Sequence, residues 1–94
     1  MVTTELTAEQ FQRITRALSD PTRYEMLRRI YASEEVMNCG GSCAGLPISA
    51  ATASHHLREL EIADLIQVSK DGRFKNLEPR RDVWQAYLAQ LNQI

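Results

Sequence analysis

The chain has 94 residues, 44% of them apolar and 24% charged, the make-up of one ordinary globular domain. No apolar run approaches the roughly 20 residues that a membrane span needs, and the start, Met1 to Gln10, is too polar and acidic for a signal peptide, so the cytoplasm is the expected compartment. A net charge of −1 argues mildly against a nucleic-acid partner, yet it permits a local cationic face on an otherwise acidic body.

Thr7-Ala8-Glu9-Gln10 fits a capping box. It predicts a first helix from Ala8 to about Leu18, with Phe11, Ile14 and Leu18 at helical spacing. Asp20 and Pro21 form the next start signal, a capping carboxylate followed by a proline whose missing N–H costs nothing there. Tyr24, Leu27, Ile30 and Tyr31 are expected to make the buried stripe of this second helix. From Ser33 to Gly45 the glycines Gly40, Gly41 and Gly45 disfavour a long helix. Val36-Met37-Asn38 fits a short strand, and a brief third helix is expected from about Gly41 to Leu46, ended by Pro47.

Ser49 caps a fourth helix running to about Ala63. Ala53, Leu57 and Leu60 fall on one face of it, and Ala51, His55, Arg58 and Ile62 on the opposite face. Asp64 is expected just past its end. Two alternating runs, Leu65 to Ser69 and Phe74 to Leu77, flank Lys70-Asp71-Gly72-Arg73, and Asp-Gly between such runs is a strong hairpin signal. Pro79 restarts the chain as a last helix with Val83, Trp84, Tyr87, Leu88 and Leu91 on one side. The order is helix, helix, short strand, helix, recognition helix, β-hairpin wing, helix. This is a mainly α (α+β) fold, the winged helix-turn-helix plan, in a single domain over residues 1–94 with its core at about 8–92.

Two segments carry a family likeness. Ala17-Leu18-Ser19-Asp20-Pro21-Thr22-Arg23 resembles the opening of the second helix in the ArsR/SmtB repressors. Ser49-Ala50-Ala51-Thr52-Ala53-Ser54-His55-His56-Leu57-Arg58-Glu59-Leu60 resembles their recognition helix. Ala63-Asp64-Leu65-Ile66 is similar to the family's approach to the wing. The likeness runs from about Phe11 to Leu91 and implies a homodimeric transcription factor, dimerised through the first and last helices and often released from DNA by an effector.

A recognition helix that enters a major groove about 12 Å wide needs a small or polar outer face. Ala50 and Ala51 permit close approach, although alanines are also simply good helix formers. Thr52, Ser54 and His55 carry hydrogen-bonding groups for bases or phosphates, and Arg58 reaches the backbone. Ser54 has the alternative of bonding its own helix. His56 lies near the buried edge and reads as a packing residue. At the wing, Lys70, Arg73 and Lys75 outnumber Asp71 and suit phosphates or the adjacent minor groove. The expected partner is double-stranded operator DNA.

Phe11, Ile14, Leu18, Trp84, Tyr87, Leu88 and Leu91 exceed what a small core easily buries, so they are the candidate dimer surface; an intrachain core is the competing reading. Cys39 and Cys43 match neither the arsenic-type nor the zinc-type ligand set that the resemblance would imply. Two thiolates can bind a soft metal or metalloid ion, close a disulfide, or do neither. Cys43 is expected in the first turn of the third helix. Structural zinc wants four ligands, and two thiols supply half of them. No cofactor is otherwise implied. There is no phosphate-cradling loop, nucleophile elbow or paired-carboxylate site, which argues against an enzyme. The other reading, a winged-helix interaction module without operator binding, calls for exposed Leu, Phe or Tyr on the fourth helix.

Overall fold

The computed structural model describes residues 5–94; the first four residues of the acidic start lie outside them. Helix α1, Ala8–Leu18, begins at a reciprocal cap. The Thr7 hydroxyl accepts from Gln10 N and the Gln10 side-chain oxygen accepts from Thr7 N, both at 3.0 Å. Helix α2, Pro21–Ala32, begins where Asp20 Oδ1 accepts from Arg23 N at 3.0 Å. Each such cap contributes about 1 kcal/mol.

Strand β1 is Met37–Asn38 and helix α3 is Cys39–Cys43. The helix therefore starts two residues before the expected Gly41 and ends at Cys43, not Leu46. Asn38 is the reason: its side-chain oxygen accepts from Gly41 N at 2.8 Å and nucleates the turn early. Gly40 and Gly41 then sit inside the helix. A Cβ on Gly41 would stand 3.2 Å from Met37 Cγ, so a larger residue at this corner between β1 and α3 would have to push the Met37 side chain aside. Gly45, at φ +77°, turns the chain away.

Helix α4, Ala50–Ile62, is capped by Ser49, whose hydroxyl accepts from Thr52 N at 3.1 Å. Asp64 follows it in the left-handed region, at φ 61°. That conformation is costly for a non-glycine residue. It is held by Gln10, whose Nε2 donates to Asp64 Oδ2 at 3.2 Å and ties the start of α1 to the end of α4.

The wing consists of β2, Ile66–Asp71, and β3, Phe74–Pro79. They pair antiparallel from Ile66 opposite Pro79 to Asp71 opposite Phe74, so the connecting pair is Gly72-Arg73 and Asp71 still belongs to the strand. Gly72 supplies a positive φ of 63° at the first central position, the pattern of a type II′ turn. Strand β1 adds to the other side of β3, giving the order β1-β3-β2. Pro79, expected to open the last helix, is instead the end of β3. At that end only β2 flanks the strand, so the missing proline N–H leaves no ladder bond unmade. Helix α5 is Arg81–Leu91.

The core joins Ile14 and Ala17 of α1, Met26, Leu27 and Ile30 of α2, Leu57 and Leu60 of α4, Leu65, Ile66 and Leu77 at the wing base, and Val83 and Tyr87 of α5. Tyr24, expected in the buried stripe of α2, is 49% exposed, and Met26 takes the interior position. Tyr31 closes the junction of wing and helices: its hydroxyl lies 2.6 Å from Leu65 O and 3.2 Å from Arg80 O, while Arg80 N donates to Leu65 O at 3.0 Å. The result is five helices and a three-stranded antiparallel sheet, with the hairpin projecting beside α4.

Candidate nucleic-acid interface

The cap at Ser49 sets the start of α4 at the surface. Ala50, Ala51, Thr52, Ser54, His55 and Arg58 are all exposed, on the side away from the buried Ala53, His56, Leu57 and Leu60. The Thr52 hydroxyl accepts from Ser49 Oγ at 3.0 Å, which leaves its own proton for an outside acceptor. The first-turn N–H groups add partial positive charge at the same end.

Across from this face stands the wing. A groove of about 610 Å³ separates them, lined by Ala51, Ser54, His55, Leu57, Arg58 and Glu61 of α4, by Val68, Lys75 and Leu77 of the hairpin, and by Cys39 of α3. Lys70 stands directly opposite Lys75 in the β2–β3 register. Like charges placed so repel one another. Among the described residues, the ion pairs involve none of Lys70, Arg73 and Lys75. The hairpin tip is thus a cationic cluster whose self-repulsion an anion would relieve.

The recognition helix is tied to α2 by a buried polar contact. Arg23 is 9% exposed and His56 is 6% exposed. Arg23 Nε donates to His56 Nδ1 at 3.2 Å, so the His56 proton sits on Nε2, 4.0 Å from Asp20 Oδ1. The packing role expected for His56 is what the geometry gives it. Its buried hydrogen-bond partner, Arg23, was not foreseen; the signal for it lay in the DPTR segment, where Asp20 caps and Arg23 follows at the inward-facing position.

The cysteines are arranged differently from expectation. Cys39, not Cys43, opens α3 and lines the groove; Cys43 closes the helix, with its Sγ 3.4 Å from Cys39 O. Both thiols are free and partly buried. Among the described residues, no group of three or more His, Cys, Asp or Glu side chains gathers where it could hold a metal ion. The pair alone offers two soft donors four residues apart on one helix.

The expected dimer residues divide into two sets. Ile14 and Tyr87 are 0% and 4% exposed, so they belong to the chain's own core and are corrected on that account. Tyr87 joins α5 to α1, its ring centroid 4.9 Å from that of Phe11 and its hydroxyl 2.8 Å from Thr15 Oγ1. Phe11, Leu18 and Trp84 are half-buried, and Leu88 and Leu91 are exposed. One exposed aromatic went unremarked in the sequence: Phe74, at the wing tip. Its odd spacing from Leu77 already puts the two on opposite faces of the strand.

Helix, turn, outward-facing helix and cationic hairpin define the class as a winged helix-turn-helix protein. The helix-turn-helix domain family matches residues 18–69. An uncharacterised HTH-type transcriptional regulator of Bacillus subtilis, YceK, is 37% identical over 75 residues, spanning 80% of this chain and 75% of its own. A crystal structure of an ArsR family transcriptional regulator superposes with a TM-score of 0.82 at 23% identity, covering 96% of this chain and 91% of the other. A homodimeric winged helix-turn-helix DNA-binding domain from Mycobacterium bovis, Mb0332, a possible ArsR-family regulator, superposes with a TM-score of 0.70 at 20% identity, over 90% and 79% of the two chains. The chain belongs to the helix-turn-helix domain family, and its winged fold is that of the ArsR-family structure it superposes on. It is a transcriptional regulator and not an enzyme. Among the described residues, no helix is long and apolar enough to cross a membrane.

The buried histidine makes stability depend on pH. Burial holds the His56 pKa below its ordinary 6.5, Asp20 pulls the other way, and Arg23 and His55 push it further down. The unfolded chain therefore takes up the proton first as pH falls. The contribution of neutral His56 is complete above about pH 6.5 and is lost progressively below it. Asp20, kept under 3.8 chiefly by the Arg23 backbone N–H, remains ionised throughout that window. The urea midpoint is expected to drop between about pH 7.5 and about pH 5.5, and His56→Gln, which keeps an acceptor for Arg23, should flatten the drop. Equal pH dependence in the two proteins would count against this account.

Proposed function

We propose that the chain is an effector-released repressor that binds an inverted-repeat operator as a homodimer in the cytoplasm, with α4 in the major groove and the β2–β3 hairpin on the flanking backbone. The observation that carries this reading is the outer face of α4, where Ala50, Ala51, Thr52, Ser54, His55 and Arg58 stand exposed beside the unpaired wing cations. Small and hydrogen-bonding residues suit a groove of base edges. An interaction module would present large apolar residues there, and the one such residue exposed on α4, Ile62, lies at its far end.

In this reading Arg73 contacts phosphate and carries no sequence information. Arg73→Ala is expected to weaken binding to all duplexes alike and to lower the slope of log affinity against log salt by about 1. Fluorescence titration across a salt series measures both quantities, and an unchanged slope removes Arg73 from the interface. Footprinting on the DNA upstream of the chain's own reading frame should give two half-sites about one helical turn apart.

Homodimerisation is supported by the exposed Leu88 and Leu91 of α5, the helix that also carries half-buried Trp84, and by the homodimeric structural neighbour from Mycobacterium bovis. Leu88→Glu puts a charge on this face without touching the core. Sedimentation at micromolar concentration should then find a monomer where the wild type is a dimer; a wild type that is already monomeric refutes the dimer.

The effector site in this reading is the Cys39/Cys43 pair. Two thiolates that bind a soft metal or metalloid ion, with further ligands from water or the partner, or that close into a disulfide, would strain α3 beside the recognition helix. Replacing both with Ser should leave DNA binding intact and abolish release by arsenite, zinc or peroxide. Release that persists in the double variant places the effector elsewhere.

A further inference from the structure

Phe74 is 65% exposed, more than any other large apolar side chain among the described residues except the terminal Ile94. It opens β3 directly after the Gly72-Arg73 turn and pairs with Asp71 across the hairpin. Alternation along β3 turns Leu77 into the core and Lys75 into the groove facing α4, and sets Phe74 on the outer face of the tip. The ring is outside the core cluster and takes part in none of the aromatic contacts among the described residues. The fold therefore gains nothing visible from an aromatic residue at this position.

Its surroundings narrow the choice of partner. Lys70, Arg73 and Lys75 lie within a few residues of it, all exposed and none of them in an ion pair among the described residues. A second copy docked tip to tip would bring two such cationic sets together and be repelled. Lys70 and Lys75 project from the groove side of the hairpin and Phe74 from the outer side beside Asp71, so a partner that suits both the cations and the ring straddles the tip, apolar between two rows of negative charge. The minor groove of duplex DNA has this chemistry: sugar and base edges form its floor and walls, and phosphates line both rims.

We propose that Phe74 is an apolar wedge that enters the DNA minor groove flanking the α4 site, while Arg73 and Lys75 hold the adjoining phosphates. It is then a specificity residue as well, because a ring pressed against base edges favours the deformable pyrimidine–purine steps over stiff ones. The proposal rests on the DNA-reading function proposed above.

The test uses the full chain and a dye-labelled duplex from the DNA upstream of its own reading frame, read by fluorescence anisotropy over a salt series. Phe74→Ala is expected to weaken binding about ten-fold, the effect of withdrawing a largely buried phenyl ring, with log affinity against log salt running parallel to the wild type because no ion pair is lost. Phe74→Leu should keep most of the affinity. Netropsin, which occupies the minor groove, should erase the difference between wild type and Phe74→Ala. Thermal unfolding of Phe74→Ala should match the wild type, since the ring is already in water. If the wild type binds no duplex, the DNA-reading function fails and the wedge fails with it. If the wild type binds and Phe74→Ala stays within about two-fold, the wedge alone is overturned. A loss accompanied by a flattened salt slope, or a changed sedimentation profile with DNA binding intact, also overturns it, in favour of a role in placing the cations or in protein contact.

Discussion

The contact between Arg23 and His56 fixes where the recognition helix sits. The two residues are 33 positions apart in the chain and meet at 3.2 Å, almost sealed from water. A buried guanidinium must be met by acceptors or it destabilises the fold strongly. Here one acceptor is the neutral imidazole of α4, whose Nε2 lies 4.0 Å from the Asp20 carboxylate that also caps α2. Sliding α4 along α2 would break this contact, so the outer face of α4 is presented at a defined angle.

A second junction does the same for the wing. Tyr31 and Arg80 converge on Leu65 O, at the point where α4 has ended and β2 begins. Asp64, strained into the left-handed region just before it, is held by Gln10 from α1. Helix and hairpin are thereby set on opposite sides of one groove. Cys39 reaches that groove from α3, so a chemical change at its thiol would occur on the surface that faces the proposed DNA.

The distribution of charge resolves the objection raised by the net value. Glu9, Glu25 and Asp82 are taken up in ion pairs with Arg13, with Arg28 and Arg29, and with Arg80. These pairs lie on α1, on α2 and at the start of α5. The cations of the wing have no such partners among the described residues, and Lys70 and Lys75 are set against each other. A chain of net charge −1 thus still presents three wing cations against the single acid Asp71 at its hairpin tip.

Local signals in the sequence were enough to place α1, α2 and α4, since each begins at a capping side chain that acts within three residues: Thr7, Asp20 and Ser49. The exposed face of α4 was legible for the same reason, as helical period alone separates Ala51, His55 and Arg58 from Leu57 and Leu60. Errors arose where a distant element decided. The exception is α3, where the local Asn38 cap started the helix two residues early and put Cys39 at its first position and Cys43 at its last. One-sided pairing kept Pro79 in the sheet. Packing in the shared core drew Ile14 and Tyr87 inside and left Leu88 and Leu91 to the surface. By itself, then, the sequence determined that this is a winged helix-turn-helix chain and which side of its recognition helix faces out, because caps, period and turn chemistry are local. Which apolar residues remain for a partner, which thiol meets the groove, and what holds the helix at its angle were decided only by the tertiary structure, because burial and buried hydrogen bonds belong to residues that the chain brings together from far apart.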